Sequence, residues 1–387
     1  MSEQATRGEV AIDMPLQARS LESLSRREYA RYRQARGILA SGGGVLALSL
    51  GDIPLAGLGV YEALLAQSWV IRYVSPEDMV RLAQAALEVA QEFAPKRYGA
   101  KRITDLQARA WGELANAYRA ADRLRLSQET FGQAYAVLEK GSGDPYLQAR
   151  LFDLEASLLG TWREFPLALH RLKSLSDLYR NLGEVHLAGR TLITRALYTA
   201  YSGEAEEALE LNAEGLALID RQQDPVLYMM AVHNHLMFLV ELGCYGTAKR
   251  TLFENRRYVI YRGVGAQRFR ALEGRISYGL GQWESAEIAF REAKVNLADA
   301  GKSFFCALVC LELAMALVRQ NRHEEAEREV LAAREIFLSQ EVYREYVGSV
   351  IFLEVEFRRK AVTAELIEAT VAHLRRKELQ IQPRDLR

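Results

Sequence analysis

The stretch GLGQWESAEIAFREA, residues 279–293, decides the fold. It carries no residue placed as a nucleophile, but it has a rhythm: Gly281, then Ala286, Phe290 and Ala293. Asn321, Ala326, Val330 and Ala333 repeat that spacing on the C-terminal side. Gly243, Ala248 and Leu252 repeat it on the other, preceded by Gly203, Ala208, Asn212 and Gly215. Further back stand Ala168, Leu172 and Leu175, then Ser127, Phe131 and Ala134, and a weaker copy at Ala83, Leu87 and Ala90. The small residue recurs at 83, 127, 168, 208, 248, 286 and 326, at intervals of 44, 41, 40, 40, 38 and 40 residues. A fixed period in that range marks stacked repeats.

Each repeat has the same internal logic. A run of helical periodicity precedes the glycine, as in WGELANAYRAA (111–121) and VHNHLMFLVEL (232–242). Then comes a short break at Gly, Asp or Asn, residues that tolerate the left-handed conformation ending a helix. A second periodic run follows, such as EEALELNAEGLALI (206–219). The unit is therefore a helical hairpin, and the small residue marks where its two helices cross. Axes ~8–10 Å apart leave little room for a side chain. The connectors GSGDP (141–145), RQQDP (221–225) and SPED (75–78) each offer a capping residue and a first-turn proline for the next helix. Residues 21–40 read as one further helix, and SGGG (41–44) reads as a break. Residues 341–359 and 363–379 read as closing helices, the last amphipathic, with 380–387 as a frayed tail.

Trp111, Leu114, Ala115 and Tyr118, followed by Ser127 and Phe131, resemble the tetratricopeptide repeat pattern W-x2-L-G-x2-Y…A-x3-F. The two departures, Ala for Gly and Ser for Ala, keep the side chain small. The resemblance covers roughly residues 61–338, and the longer period is similar to arrays in bacterial regulatory proteins that sense peptides or protein partners. It implies an all-α fold: a right-handed α-α superhelix, a tetratricopeptide-like solenoid of about seven helical hairpins with helical caps. Residues 1–60 would form the N-terminal tail and cap, 61–338 the array, and 339–387 the C-terminal cap and tail.

Composition limits the functional classes. The chain has 387 residues, 49% hydrophobic and 26% charged, with 8 prolines, which is the profile of an ordered protein. Fifty basic residues balance 50 acidic ones, so no global field draws it to nucleic acid or anionic lipid. The greasiest region, residues 45–66, is interrupted by Asp52, Pro54 and Glu62 and reads as buried helix and turn. Three cysteines are too few and too uneven for a disulfide framework and suit a reducing cytoplasm. The start, MSEQATRGEVAIDMP, lacks the pattern of a secretory signal.

The chemistry-bearing motifs are sparse. His233 and His235 are two apart, so on a helix they point to different faces and cannot share a metal ion. Cys306 and Cys310 sit in FFCALVCLELAMALV and read as core thiols. HEEAERE (323–329) lacks the second histidine of a zinc motif, and neither a phosphate loop nor a nucleophile elbow is present. No catalytic residue, metal or cofactor is expected.

The repeat-linked feature is basic. Arg109, Arg150, Arg190 and Arg268 fall at the same early position of four first helices. In the resembled family first helices line the concave wall, so these would stack into a ladder. Such a row could hold an acidic partner through planar guanidinium forks, or each arginine could pair with a nearby Glu or Asp. Asn116 occupies the family's carboxylate-clamp asparagine position, but Gly112 stands where the clamp lysine would, so a chaperone-tail grip is not implied. The concave-face candidates are Arg109, Asn116, Arg150, Arg190, His233, Arg268 and Arg275. The expectation is a non-enzymatic adaptor binding a protein or peptide, possibly acidic, or alternatively a ligand-sensing module controlling a partner.

Overall fold

The computed structural model describes residues 14–42, 53–72, 75–256, 264–299, 303–339 and 344–378, with 45 and 48. The first thirteen residues, Gly43 and Gly44 of the 41–44 break, and the 380–387 tail lie outside the described residues. Among the described residues every regular element is a helix. The chain divides into two compact units, Met1–Thr191 and Leu192–Arg387.

The first unit opens with α1 (Met14–Glu22) and α2 (Arg26–Ala40). The expected single helix over 21–40 is split, because the Ser25 hydroxyl caps a new helix by accepting from the Glu28 amide. Next come α3 (Leu58–Val70), α4 (Pro76–Gln91), the single turn α5 (Pro95–Tyr98), α6 (Ala100–Ala120), α7 (Leu124–Leu138), α8 (Pro145–Thr161) and α9 (Phe165–Asn181). Helices α3–α4, α6–α7 and α8–α9 pack as hairpins, and α6 also packs on α8. Ser75, Asp144 and Asp224 each cap a helix whose first turn carries a proline, as the connectors predict. At the crossing of α2 and α3 a side chain on Gly59 would meet the Glu28 carbonyl oxygen at 2.1 Å, so only glycine fits.

Helix α10 (Val185–Tyr201) contains the division between the units. The second unit continues with α11 (Ala205–Leu218), α12 (Pro225–Glu241), α13 (Tyr245–Asn255), α14 (Val264–Gly279), α15 (Trp283–Asp299), α16 (Ser303–Arg319), α17 (His323–Ser339), α18 (Arg344–Arg358) and α19 (Ala364–Glu378). Here α12–α13, α14–α15 and α16–α17 are hairpins. Leu192 and Ala196 of α10 share a core cluster with Ala208 and Leu211 of α11.

The repeat rhythm has a structural cause. Ala83, Ser127, Ala168, Ala208, Ala248, Ala286 and Ala326 all lie in second helices and all are fully buried. Phe131, Phe290 and Val330, one turn later, fill the wider gap beyond the crossing. Ser127 shows why its substitution is tolerated: its hydroxyl donates to the Ala115 carbonyl of α6 at 2.7 Å. The hairpin turns are set by left-handed residues, among them Gly281 (φ 73°) and Asn321 (φ 60°). At the former, Gln282 N–H reaches Ser277 O and Gly281 N–H reaches Tyr278 O, both at 2.9 Å, closing the helix end.

No helix among the described residues is long and apolar enough to cross a membrane. Enlarging the crossing residue should be costly. Ala286→Leu is expected to lower unfolding stability by about 1–3 kcal/mol through overpacking. Ile288→Ala, on the exposed side of the same helix, should shift it by less than about 0.5 kcal/mol in the same denaturant titration.

Candidate functional site

First helices carry the polar groups that the repeat brings together. In the N-terminal unit Glu62 of α3 is fully buried, and Arg109 of α6 donates to it through Nη1 at 2.9 Å. One turn after Arg109, Glu113 receives a two-pronged contact from Arg150 of α8, Nε to Oε1 at 2.7 Å and Nη2 to Oε2 at 3.1 Å. One turn after Arg150, Asp153 receives Nη2 of Arg190 at 2.7 Å. Along this row cation and anion alternate: α6 and α8 each offer an arginine backward and a carboxylate forward. The Arg150–Glu113 and Arg190–Asp153 partners are both 37 residues apart, one repeat less one turn.

This register takes up the guanidiniums internally. Arg109 and Arg150 are both less than 5% exposed, and Arg150 also stacks over the Trp69 ring at 4.6 Å. Burial would lower the Arg190 pKa, but the Asp153 carboxylate outweighs it and the net shift is upward. Asn116 is also buried, accepting from Arg119 Nε at 3.0 Å. These four candidates therefore lie within the packing of the N-terminal unit, each against a neighbour of its own chain. Buried ion pairs contribute little net stability, but a lone member is costly, so each pair resists loss of either partner.

The C-terminal unit is arranged differently. His233 on α12, Arg268 and Arg275 on α14 and Phe305 on α16 come from three successive first helices. The Phe305 ring is flanked by two guanidiniums, with the Arg268 and Arg275 carbons 5.8 and 5.9 Å from its centre. His233 rests edge-on against Phe269, centroids 5.1 Å apart. Burial, then the charges of Arg275 and Arg268, push its pKa down from 6.5 to about 4, so the imidazole is neutral at pH 7. Arg275 Nε donates to Glu312 Oε1 of α16 at 2.9 Å. Arg268 is exposed and makes no ion pair among the described residues. An exposed guanidinium beside an aromatic face can receive a carboxylate.

Phe305 and Glu312 were not singled out by the repeat pattern. The sequence does mark Glu312: it is the sole acid in SFFCALVCLELAMALVR, as Glu62 is in LGVYEALLAQSWV. An acid isolated in an apolar helix requires a partner when buried. Cys306 and Cys310 are buried in the core, as expected from their apolar run. No group of three or more metal-ligating side chains occurs among the described residues.

No family model matches the chain, and no curated protein matches it. Solved structures do. A Rap protein complexed with competence and sporulation factor superposes with a TM-score of 0.56 at 11% identity, covering 84% of this chain and 89% of that one. A signal transduction ATPase with numerous domains and a tetratricopeptide repeat sensor, from Pyrococcus horikoshii, gives a TM-score of 0.55 at 14% identity. It is covered over 54% of its length, against 92% of this chain, so the chain spans about half of that protein. The fold is a tetratricopeptide-like array of helical hairpins. At these identities the likeness carries architecture, and the array's chemistry rests on its own side chains.

Two outcomes check the electrostatics of the array. Glu113→Ala should cost on the order of 3 kcal/mol by leaving Arg150 buried, and Glu113→Leu with Arg150→Met should recover most of it, as read by chemical denaturation. For His233 the folded pKa lies below the unfolded value, so its contribution is fully present above pH 6.5 and is lost as pH falls toward 4. A His233→Phe variant should lose less stability than the parent between those pH values, by on the order of 1–3 kcal/mol.

Proposed function

We propose that the protein is a non-enzymatic recognition module that takes an acidic protein segment on the first-helix face of its C-terminal unit. The observation that carries this reading is the Phe305 ring flanked by Arg268 and Arg275, with neutral His233 beside them. A carboxylate approaching Arg268 meets a planar fork of donors at an exposed position. The Phe305 ring adds apolar contact for the neighbouring stem of the same segment. The N-terminal row contributes rigidity instead, because its arginines already hold Glu62, Glu113 and Asp153.

Two further observations support the reading. The Rap protein that shares this architecture is complexed with a competence and sporulation factor, so a fold of this kind can receive a separate factor. Cys244, Cys306 and Cys310 are free thiols, which suits a reducing cytoplasm as the setting.

The test is fluorescence anisotropy with a labelled acidic peptide bearing a free C-terminal carboxylate. Arg268→Gln should weaken binding about tenfold or more with an unchanged melting curve, and added salt should weaken the parent more than the variant. Equal affinity of parent and variant would remove this face as the binding site.

A further inference from the structure

Helix α19 departs from the array. Second helices of the hairpins pack on their own first helices, yet α19 packs chiefly on α16, the first helix of the preceding hairpin. It thereby crosses to the first-helix side. Its apolar stripe is Ile367, Val371 and Leu374, spaced i, i+4, i+7, and all three are buried in the core shared with α16. That spacing is the stripe by which an amphipathic helix buries one face, and a helical ligand anchors in a groove through the same positions.

Its charged residues meet the same face in order. Glu365, in the first turn of α19, pairs with Arg319 at the end of α16, Oε1 to Nη2 at 2.7 Å. Arg375, near the other end, pairs with Glu312 in the middle of α16. Glu312 is thus approached by Arg275 from within the array and by Arg375 from α19. Charges on α19 also reach the other first helices: Glu368 acts on Tyr278 of α14, and Arg375 on Glu241 of α12. Glu312 is 1% exposed, and its Oε2 has no hydrogen-bond partner among the described residues. The resident helix leaves a buried acceptor unfilled, so a ligand supplying one more donor would fit better.

The N-terminal unit repeats the device. Glu62, fully buried on a first helix, is held by Arg109 and receives the Ser20 hydroxyl from α1, while its Oε2 likewise has no partner among the described residues. Helix α1 packs on the first helices α3 and α8, with Leu16 against the core cluster that holds Leu147 and Leu151. A terminal helix thus covers a buried glutamate on the first-helix face of each unit.

We infer that α19 is a resident stand-in for a partner helix: it occupies the stretch of first-helix face between Arg319 and Glu312, and full engagement of a partner displaces it. The partner segment is an amphipathic helix with the same charge order, an acid for Arg319 and, about ten residues later, an arginine for Glu312. This inference rests on reading the first-helix face as the binding surface. It adds that the face is partly self-occupied, so affinity is held down until α19 is released.

The experiment uses the full chain and a labelled synthetic peptide of residues 361–378, AVTAELIEATVAHLRRKE. In the parent, the tethered copy should exclude it. A full-length Val371→Asp, Leu374→Asp variant, whose own helix can no longer seat, should bind the peptide ~30-fold or more tighter than the parent does. Peptide carrying Arg375→Glu should lose most of that affinity. Hydrogen exchange on the parent should show α19 amides opening at lower free energy than those of α16 and α17. Failure of the peptide to bind the variant, collapse of the variant's whole C-terminal unit, or α19 exchange only by global unfolding would each overturn the inference. The acidic peptide separates the two readings. If it still binds through Arg268 while the helix peptide does not, only the stand-in role falls; if neither binds, the face itself is misassigned.

Discussion

The closeness of two helices at one point governs this molecule. A buried alanine, or Ser127 with its hydroxyl turned onto Ala115, lets the second helix of each hairpin approach the first. Close approach lets Phe131, Phe290 and Val330 fill the space one turn on, and it brings successive hairpins into register. A larger residue at the crossing would separate the axes and shift every side chain along the first helices. The polar row depends on this spacing, since a guanidinium and a carboxylate must arrive within about 3 Å of each other to form a charge-assisted bond.

Given that register, electrostatics divides the labour between the two units. In the N-terminal unit Arg150 and Arg190 each find an acid 37 residues back, one repeat less one turn, and Arg109 finds one 47 back, so the row Glu62, Arg109, Glu113, Arg150, Asp153, Arg190 is internally neutralised. Neutralised and mostly buried, it can align helices but has little to offer a ligand. In the C-terminal unit the pattern is incomplete. Arg275 is matched by Glu312, but Arg268 stands exposed over Phe305, and recognition chemistry is available there.

In each unit, taken by itself, a helix outside the hairpins covers first helices. Helices α1 and α19 lie over first helices of their own units, each bringing a polar group to a glutamate buried in an otherwise apolar helix. For α19 the coverage follows an order of apolar anchors and charges that reads as a ligand's. Such a helix shields apolar surface of the first helices it covers.

The sequence by itself determined the hairpins, their number and their turns. Those depend on residues close together in the chain: a left-handed Gly281 or Asn321, an alanine five residues on, a Ser or Asp before a proline. It misjudged the 21–40 segment because Ser25 is an ordinary serine until its hydroxyl is seen to cap Glu28. For the arginines, sequence showed the row but left two fates open. Tertiary structure decided between them, because the deciding partners lie 37 residues apart for Arg150 and 47 apart for Arg109, on helices whose facing sides no local pattern specifies. The position of α19 is likewise a matter of which groove its Ile367, Val371 and Leu374 stripe selects. An amphipathic helix announces that it will bury one face; only the assembled first helices determine where.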